Sequence, residues 1–246
     1  MAEGGDRPVD RAIARLPRHW VQRCLEAGFD LLYPPRCAGC GQRGYDWCPA
    51  CDQSLSRLRG RLCEYCGEPL GRRAVCPFCR VFPLTVPARS YARYEGVLVR
   101  AVLQLKYWPN RRLARVMGGW LAEICQREGW EPTLVVPVPL GKRRLHQRGY
   151  NQAGLVAAAL AQRLNLPMRE QALWRVRETR SQVGLDVPSR HANVQDAFRA
   201  NPDLVRDQTV LLVDDLFTTG ATLSACGQAL ILGGAREVLA VTVGRA

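Results

Sequence analysis

Val210-Leu-Leu-Val-Asp-Asp-Leu-Phe-Thr-Thr-Gly-Ala-Thr222 is the stretch of this sequence that decides the fold. Its four apolar residues, Val210 to Val213, predict a buried strand, and Asp214 and Asp215 follow at the carboxyl end of that strand. A tight loop from Thr218 to Thr222 then leads into an apolar helix. A strand, a tight turn and a helix in this order are typical of α/β folds, which bind ligands at the carboxyl ends of their parallel strands.

The residue types in this stretch predict a ribose 5-phosphate ligand. The N–H groups at the start of the helix favour a phosphate, and Gly220 lets the backbone approach it closely. Thr218, Thr219 and Thr222 add hydroxyl donors, while the two carboxylates accept hydrogen bonds from a vicinal diol. The alternative is an ordinary turn whose threonines only cap the helix, but capping requires one hydroxyl and no acidic pair. No Walker-type phosphate loop occurs in the sequence.

Length, charge and hydropathy limit the class of protein. The chain has 246 residues, a formal net charge of +13 and no apolar run long enough to span a membrane. Residues 1–18 lack the apolar core of a signal peptide, so we expect a cytoplasmic protein. A polyanionic partner fits the charge, although a solvated basic surface is compatible with the scattered arginines.

Eight of the eleven cysteines form four Cys-x-x-Cys pairs. Each pair supplies two thiolates on one turn, which is half of a tetrahedral zinc shell. Disulfides are the alternative, but a cytosolic chain keeps its thiols reduced. We therefore predict two structural Zn²⁺ sites with consecutive pairs sharing an ion, although interleaved pairing is compatible too. The predicted ligands are Cys37, Cys40, Cys48 and Cys51 for one ion and Cys63, Cys66, Cys76 and Cys79 for the other.

The predicted zinc sites are structural, because four cysteine ligands leave no open position for a reacting water. Zinc would supply folding energy to a module too small to bury a sufficient core. The module is compatible with a nucleic-acid or protein contact and equally with an architectural cap. Cys24, Cys125 and Cys226 lie in apolar, helix-like contexts and are expected to be buried.

Three segments are expected along the chain. They are an N-terminal helical segment (1–35), a double zinc ribbon (36–82) and an α/β domain (83–246). Within the third segment, strands alternate with helices, which indicates a mostly parallel sheet. The predicted strands are 88–94, 133–138, 210–213 and 236–243, and the predicted helices are 8–33, 96–105, 111–128 and 151–164.

A basic segment follows the strand that ends at Val138. Lys142, Arg143, Arg144 and Arg148 are expected in a strand-to-helix loop, at the same sheet edge as the acidic pair. Such a loop suits a highly charged anion, although a solvated basic turn is the alternative.

A second long connector runs from Glu178 to Phe198. Long loops beside an α/β site are often lids that exclude water, and Arg180, Gln182 and Arg190 are the candidate lid contacts. A plain surface loop is an equal alternative.

The stretch Val210–Thr222 resembles the phosphoribosyl diphosphate (PRPP) signature of type I phosphoribosyltransferases. The resemblance implies that Asp214 and Asp215 contact the ribose hydroxyls and that the basic residues Lys142, Arg143 and Arg144 hold the diphosphate. It also implies a Rossmann-like domain and Mg²⁺ bound with PRPP. The loop that would wrap the 5-phosphate consists of Thr218, Thr219, Gly220, Ala221 and Thr222.

Several motifs in their order along the chain resemble the narrower ComF family of competence and DNA-utilisation proteins. They are the four cysteine pairs, Leu105-Lys-Tyr107, Arg148-Gly-Tyr-Asn-Gln152 and the acidic loop; Tyr150 stands where Phe is more usual. The resemblance implies a PRPP-binding, transferase-like protein associated with DNA uptake, natural transformation or DNA utilisation, with an undefined acceptor. The alternative is a non-catalytic, PRPP-regulated protein that binds single-stranded DNA or serves as a scaffold for a helicase or the uptake machinery.

Overall fold

The computed structural model describes residues 34–73, 76–177, 193–194 and 196–246. The helix expected over residues 8–33 lies outside the described residues, as does Cys24. Residues 178–192, which include the three candidate lid contacts Arg180, Gln182 and Arg190, also lie outside them.

A four-stranded parallel sheet forms the centre of the described chain, with the strand order β1-β6-β5-β2. The predicted α/β fold with a mostly parallel sheet is therefore confirmed. A separate antiparallel pair, β3 and β4, lies outside this sheet. The strands are β1 (Ala88–Arg93), β2 (Leu134–Pro137), β3 (Leu173–Arg175), β4 (Phe198–Ala200), β5 (Thr209–Phe217) and β6 (Glu237–Arg245).

Helices flank the sheet and precede it in the cysteine-rich part of the chain. One 3₁₀ turn, Glu170–Ala172, precedes β3. The helices are α1 (Pro49–Gln53), α2 (Pro77–Val81), α3 (Gly96–Tyr107), α4 (Arg111–Glu128), α5 (Lys142–Arg148), α6 (Gln152–Leu164), α7 (Pro202–Val205) and α8 (Ala221–Leu232).

The apolar residues of β5 alternate between two cores, because successive side chains of a strand point to opposite faces of the sheet. Leu211 and Val213 belong to the core that contains α3, α4 and α6. Val210 and Leu212 belong to the core that contains α8 and the residues just before β1. Both faces of β5 are therefore covered, and the four-residue apolar run of the sequence reflects that double burial.

The structure corrects two predictions, the end of β5 and the conformation of the basic segment. It also contains elements that the sequence does not predict. The sequence predicts that strand β5 ends at Val213, but the strand continues to Phe217 because β6 supplies pairing partners as far as Arg245. The sequence predicts a loop from Lys142 to Arg148, but this segment is the helix α5. Its mixture of charged residues carries no apolar period from which a helix is predicted. The β3–β4 pair and α7 were not predicted.

The cysteine-rich module is joined to the sheet through the edge strand β1. The backbone N–H of Leu58 donates to the carbonyl of Tyr91 at 3.0 Å, and the N–H of Arg93 donates to the carbonyl of Ser56 at 2.9 Å. Residues 56–58 thus run antiparallel to β1 and cover its open edge, which would otherwise expose unpaired backbone groups. Among the described residues, no helix has the length and apolar character needed to cross a bilayer.

Candidate functional site

The candidate site lies at the carboxyl edge of the sheet, where β2 and β5 end side by side. The N–H of Val138 donates to the carbonyl of Val213 at 2.8 Å, so the two strands stay paired up to the point where the acidic pair begins. Beyond that point β2 stops while β5 continues to Phe217. Asp214 and Asp215 therefore lie on a strand whose neighbour on one side has ended, which is the position where open α/β sheets bind ligands.

Asp215 is held by two side chains from other elements. Its side chain is nearly buried, its Oδ2 lies 3.2 Å from Nζ of Lys106, and Gln152 Nε2 donates to the same oxygen at 3.4 Å. Lys106 is at the end of α3 and Gln152 is the first residue of α6. The guanidinium of Arg148 in turn donates to the side-chain oxygen of Gln152. These contacts fix the orientation of the Asp215 carboxylate at this edge.

Asp214 differs from its neighbour in its electrostatics. Burial raises the pKa of the Asp214 carboxyl well above its usual range, and the adjacent charge of Asp215 raises this pKa further. The positive charge of Lys106 and the N–H of Asp215, which donates to Asp214 Oδ1 at 2.8 Å, act in the opposite direction. The protonation of Asp214 therefore depends on the charges of Asp215 and Lys106.

Residues Thr218–Thr222 connect the end of β5 to α8 and include the first two residues of α8, Ala221 and Thr222. We call them the phosphate loop after the ligand predicted for them from the sequence. Gly220 has a φ of 74°, and a Cβ at this residue would lie 2.3 Å from Cδ2 of Leu84 and 2.9 Å from Cζ of Phe217. Both the left-handed backbone and the lack of space therefore require glycine here. Thr219 is buried, and its hydroxyl accepts a hydrogen bond from the N–H of Ala221 at 3.4 Å.

The basic residues Lys142, Arg143 and Arg144 are exposed in the first turn of α5, directly after the end of β2. They share the carboxyl edge of the sheet with the acidic pair, since β2 and β5 are parallel neighbours. Asn151 anchors the end of this segment, because its Nδ2 donates to the carbonyl of Val138 at 3.0 Å and its side chain caps α6.

Lys106 and Gln152 were not assigned as site residues from the sequence, and Arg148 was expected only as part of the basic loop. Lys106 is one of only two lysines among 35 basic residues and lies in a ComF-like motif, so a signal for it was present. The motif from Arg148 to Gln152 carried the other two, but nothing local shows that a glutamine reaches an aspartate on another strand.

The eight knuckle cysteines form two compact groups, and consecutive pairs share each group. We call Cys37, Cys40, Cys48 and Cys51 the first cysteine site, and Cys63, Cys66, Cys76 and Cys79 the second cysteine site. Within each site, all four Sγ atoms lie within 4.8 Å of one another.

The geometry of both sites fits zinc. Individual Sγ–Sγ distances are 3.6 Å for Cys40–Cys48, 3.6 Å for Cys66–Cys76 and 3.8 Å for Cys63–Cys79. A tetrahedral zinc ion with Zn–S bonds of about 2.3 Å has sulfur–sulfur edges of about 3.8 Å. The predicted structural zinc with sequential pairing therefore agrees with the structure, and interleaved pairing is excluded.

The thiols of the first site have different pKa values: burial and the neighbouring cysteines raise the pKa of Cys51, whereas the pKa of Cys37 is lowered. Burial by itself raises the pKa of the Cys37 thiol, but backbone N–H groups of Cys48, Cys40 and Gly39 oppose it and lower the pKa to about 6. By contrast, burial raises the pKa of Cys125 to about 12, as expected for a cysteine in an apolar core. Cys125 and Cys226 are both buried, as predicted.

Comparison with known families matches both parts of the chain. The double zinc ribbon domain family matches residues 28–80, and the phosphoribosyl transferase domain family matches residues 105–245.

Three curated relatives span most of the chain. The chain is 32% identical to the DNA utilization protein YhgH of Salmonella typhi, over 78% of this chain and 86% of the relative. It is 28% identical to competence protein F of Haemophilus influenzae, over 82% and 86% respectively. It is 24% identical to competence protein ComFC of Bacillus subtilis, over 75% and 77%.

Proposed function

Because the chain belongs to the ComF family, in which a double zinc ribbon precedes a phosphoribosyl transferase domain, we propose that it binds PRPP with Mg²⁺ and transfers the phosphoribosyl group. The observation that carries this proposal is the acidic pair Asp214–Asp215, which lies at the carboxyl edge of a parallel sheet directly before the phosphate loop. The proposed domain boundaries are residues 1–35, 36–82 and 83–246.

Each part of PRPP has a matching group at this edge. The carboxylates of Asp214 and Asp215 accept hydrogen bonds from the ribose hydroxyls, and the phosphate loop surrounds the 5-phosphate at the N-terminus of α8. Lys142, Arg143 and Arg144 offer charge to the diphosphate from the neighbouring strand end. Carboxylate and phosphate oxygens are the ligands Mg²⁺ prefers, and bound Mg²⁺ would neutralise charge on the departing diphosphate.

In the proposed reaction, the acceptor forms a bond to C1 of the ribose while the bond from C1 to the diphosphate breaks, and the diphosphate leaves with the bonding electrons. The side chains contribute by positioning and by stabilising charge, so no covalent protein intermediate is involved. Lys106 holds the Asp215 carboxylate in place for the ribose hydroxyls through their ion pair. Arg180, Gln182 and Arg190 remain the predicted lid contacts.

The association with DNA uptake or utilisation follows from the names of the relatives, and one observation favours direct contact with single-stranded DNA. Tyr107 and Trp108, at the end of α3, are 72% and 69% exposed. Exposed aromatic rings on a chain of net charge +13 suit base stacking combined with phosphate contacts. The alternative to transferase chemistry is therefore a PRPP-regulated DNA-binding protein or scaffold.

Calorimetric titration of the zinc-loaded full chain with PRPP and Mg²⁺ tests the main proposal. Asp215→Asn removes a charged acceptor and should weaken binding by at least about tenfold, the equivalent of one charged hydrogen bond. Glu237→Gln is the matched control, because it neutralises an exposed carboxylate at the amino end of β6, on the opposite edge of the sheet. Equal affinity of Asp215→Asn and the unmodified protein would refute the assigned ribose site.

The DNA-binding alternative has its own measurement. Affinity for a single-stranded oligonucleotide should fall steeply between about 50 and about 200 mM salt if phosphates are contacted. The double variant Tyr107→Ala with Trp108→Ala should weaken binding at every salt concentration, because stacking does not depend on counterion release. If the affinity changed neither with salt nor in the double variant, DNA binding through Tyr107 and Trp108 would be refuted.

A further inference from the structure

The second cysteine site is connected to the candidate site by one buried arginine at the end of β6. Arg245 is only 5% exposed, and its Nη1 donates to the carbonyl of Cys66 at 2.6 Å. Its Nη2 donates to Cys66 Sγ at 3.5 Å, and its Nε donates to Glu68 Oε2 at 2.7 Å. The planar guanidinium therefore holds a zinc ligand and its knuckle at the same time.

One face of the same guanidinium lies against the ring of Phe217, the residue directly before the phosphate loop. Cζ of Arg245 is 4.1 Å from the centroid of the Phe217 ring, and the two residues are register partners in β5 and β6. The far edge of this ring is one of the two surfaces that leave no room for a Cβ at Gly220. A continuous line of contacts thus runs from Cys66 through Arg245 and Phe217 to Gly220.

The segment that leaves the second cysteine site approaches the loop from its other side. Leu84 supplies the second surface against Gly220, and the hydroxyl of Thr85 donates to the carbonyl of Ser224 in the first turn of α8 at 2.9 Å. Cys63, Cys66 and Cys76 belong to the same apolar cluster as Leu84 and Phe217. The cysteine site and the phosphate loop therefore share one packed core, which transmits displacement because it is close-packed.

We propose that Arg245 is a positioning residue that couples zinc at the second cysteine site to PRPP binding at the phosphate loop. Zinc fixes the Cys66 knuckle, Arg245 and Phe217 carry that position to Gly220, and the loop keeps the backbone shape that receives a phosphate. Coupling between two sites is reciprocal, so bound PRPP stabilises zinc at the second site as well. The proposal rests on the proposed function, because it takes the phosphate loop as the PRPP site.

Two arginines that share one partner provide a matched pair of variants. Arg245 and Arg93 both donate to the carboxylate of Glu68, but of these two only Arg245 has a described contact with Cys66 and Phe217. In the zinc-loaded full chain, Arg245→Gln should weaken PRPP binding by about tenfold, within the usual range of coupling between sites. Arg93→Gln should change it by less than about twofold, as for other peripheral substitutions.

Arg245→Lys separates charge from geometry. Lysine keeps a cation beside Glu68 but lacks the planar fork that reaches two acceptors at once. We expect PRPP affinity between those of Arg245→Gln and the unmodified protein. Should Arg245→Gln fail to fold, Phe217→Leu replaces it, because this change removes the ring and leaves Arg245 bound to the knuckle.

Zinc release to a chromogenic chelator supplies the second readout. The zinc released from each site is identified with a variant that removes the least buried cysteine ligand of that site. These variants are Cys40→Ala for the first site and Cys79→Ala for the second. Saturating PRPP should slow release from the second site by about tenfold and leave the first unchanged. This protection should disappear in Arg245→Gln. Without ligand, Gly220→Ala should speed release from the second site alone, since the added Cβ displaces Phe217 and Leu84.

The outcomes separate this coupling from the function it rests on. Tight PRPP binding by both the unmodified protein and Arg245→Gln, with equal zinc protection, overturns the coupling and leaves the proposed function intact. No PRPP binding by the folded, unmodified protein overturns the proposed function. In that case the rate of zinc release from Gly220→Ala still tests the coupling. If zinc leaves the second site at the same rate with and without this substitution, the contacts from Cys66 to Gly220 do not couple the two sites.

Discussion

Each cysteine site consists of two Cys-x-x-Cys knuckles with four cysteine ligands, but different contacts attach the two sites to the sheet. Cysteines of the first site form a small apolar cluster of their own, with Trp47 and Val97 packed against it. Trp47 meets Trp120 of α4 edge to face, with ring centroids 5.1 Å apart. Cysteines of the second site instead belong to the core beneath the phosphate loop.

Charge accentuates this difference. Around the second site, Arg245 and Arg93 share the carboxylate of Glu68, and Arg89 donates both to the carbonyl of Glu64 and to Glu128 of α4. The first site also has such a bond, from Arg100 of α3 to the carbonyl of Gly39, but its described cysteines form a cluster separate from the core beneath the phosphate loop. Identical metal chemistry therefore serves two purposes: the first site packs against helices, and we assign to the second the positioning of a loop. Each prediction below tests one side of this comparison.

The largest expected effect separates the sites by deleting one knuckle at a time. Cys63→Ser with Cys66→Ser should weaken PRPP binding by at least about tenfold and lower the thermal midpoint strongly, because structural zinc contributes many kcal/mol of folding energy, of the order of 10. Cys37→Ser with Cys40→Ser should also lose one zinc per chain but retain PRPP binding. Zinc content, thermal unfolding by circular dichroism and calorimetry measure the three effects. Equal loss of PRPP binding in both variants would break the comparison.

Trp120→Ala should strongly reduce stability and affect only the first of the two cysteine sites. This ring stacks on Tyr91 at 5.0 Å between centroids and meets Trp47 edge to face, so its removal leaves a cavity beneath the first cysteine site. The free energy of unfolding should fall by about 3–5 kcal/mol, measured by urea denaturation. Zinc release should become faster at the first site and stay unchanged at the second. Faster release at the second site alone would contradict the assigned attachment.

The parts of this comparison that the sequence predicts are those that depend on neighbouring residues. Four apolar residues followed by Asp214-Asp215 predict the strand and the acidic edge, and Cys-x-x-Cys spacing predicts zinc. The extension of β5 to Phe217 does not follow from the sequence, because pairing with β6 stabilises it rather than any apolar pattern in Asp-Asp-Leu-Phe.

Contacts between distant residues are the part that the sequence does not show. Lys106 and Asp215 lie on different elements, and only the packing of α3 against the sheet brings them within 3.2 Å. Arg245 is one of 33 arginines, and nothing near it in the sequence distinguishes it from the exposed ones. The attachment of the second cysteine site was for this reason not predicted, although its ligands were.

Lys106→Gln tests whether charge at the acidic pair acts independently of both zinc sites. The variant leaves Asp215 without its cation, so PRPP affinity should fall by about tenfold, the loss expected for one charge-assisted hydrogen bond. Zinc release should not change at either site in the absence of PRPP. An altered release rate would show that the acidic pair, and not only the loop, communicates with a cysteine site.

The pH dependence of PRPP binding provides a second test with Lys106→Gln. Burial and the charge of Asp215 raise the pKa of Asp214, and Lys106 lowers it. Because the ionised carboxylate is the better acceptor, affinity should rise as the pH increases through this raised pKa. In Lys106→Gln the rise should occur at a higher pH. Asp214→Asn should lack this step, and subtracting its profile removes the ionisation of the ligand phosphates.

The smallest expected effect concerns Arg100 of α3, which contacts the first cysteine site. Its Nε donates to the carbonyl of Gly39 in the first knuckle, and the same helix, α3, carries Lys106 near its end. A displacement along α3 would therefore reach Asp215. Two contacts oppose this: Leu98 and Leu105 are fully buried, and the hydroxyl of Tyr150 donates to the carbonyl of Leu105 at 2.7 Å.

Arg100→Gln should therefore speed zinc release from the first site and change PRPP affinity by less than about twofold, as for substitutions away from a binding site. Lys106→Gln on the same helix is its positive control, since both remove one cation from α3. If Arg100→Gln weakened PRPP binding as much as Lys106→Gln, α3 would transmit the state of the first site to Asp215. Both cysteine sites would then act on the ligand, the second through the loop and the first through the acidic pair.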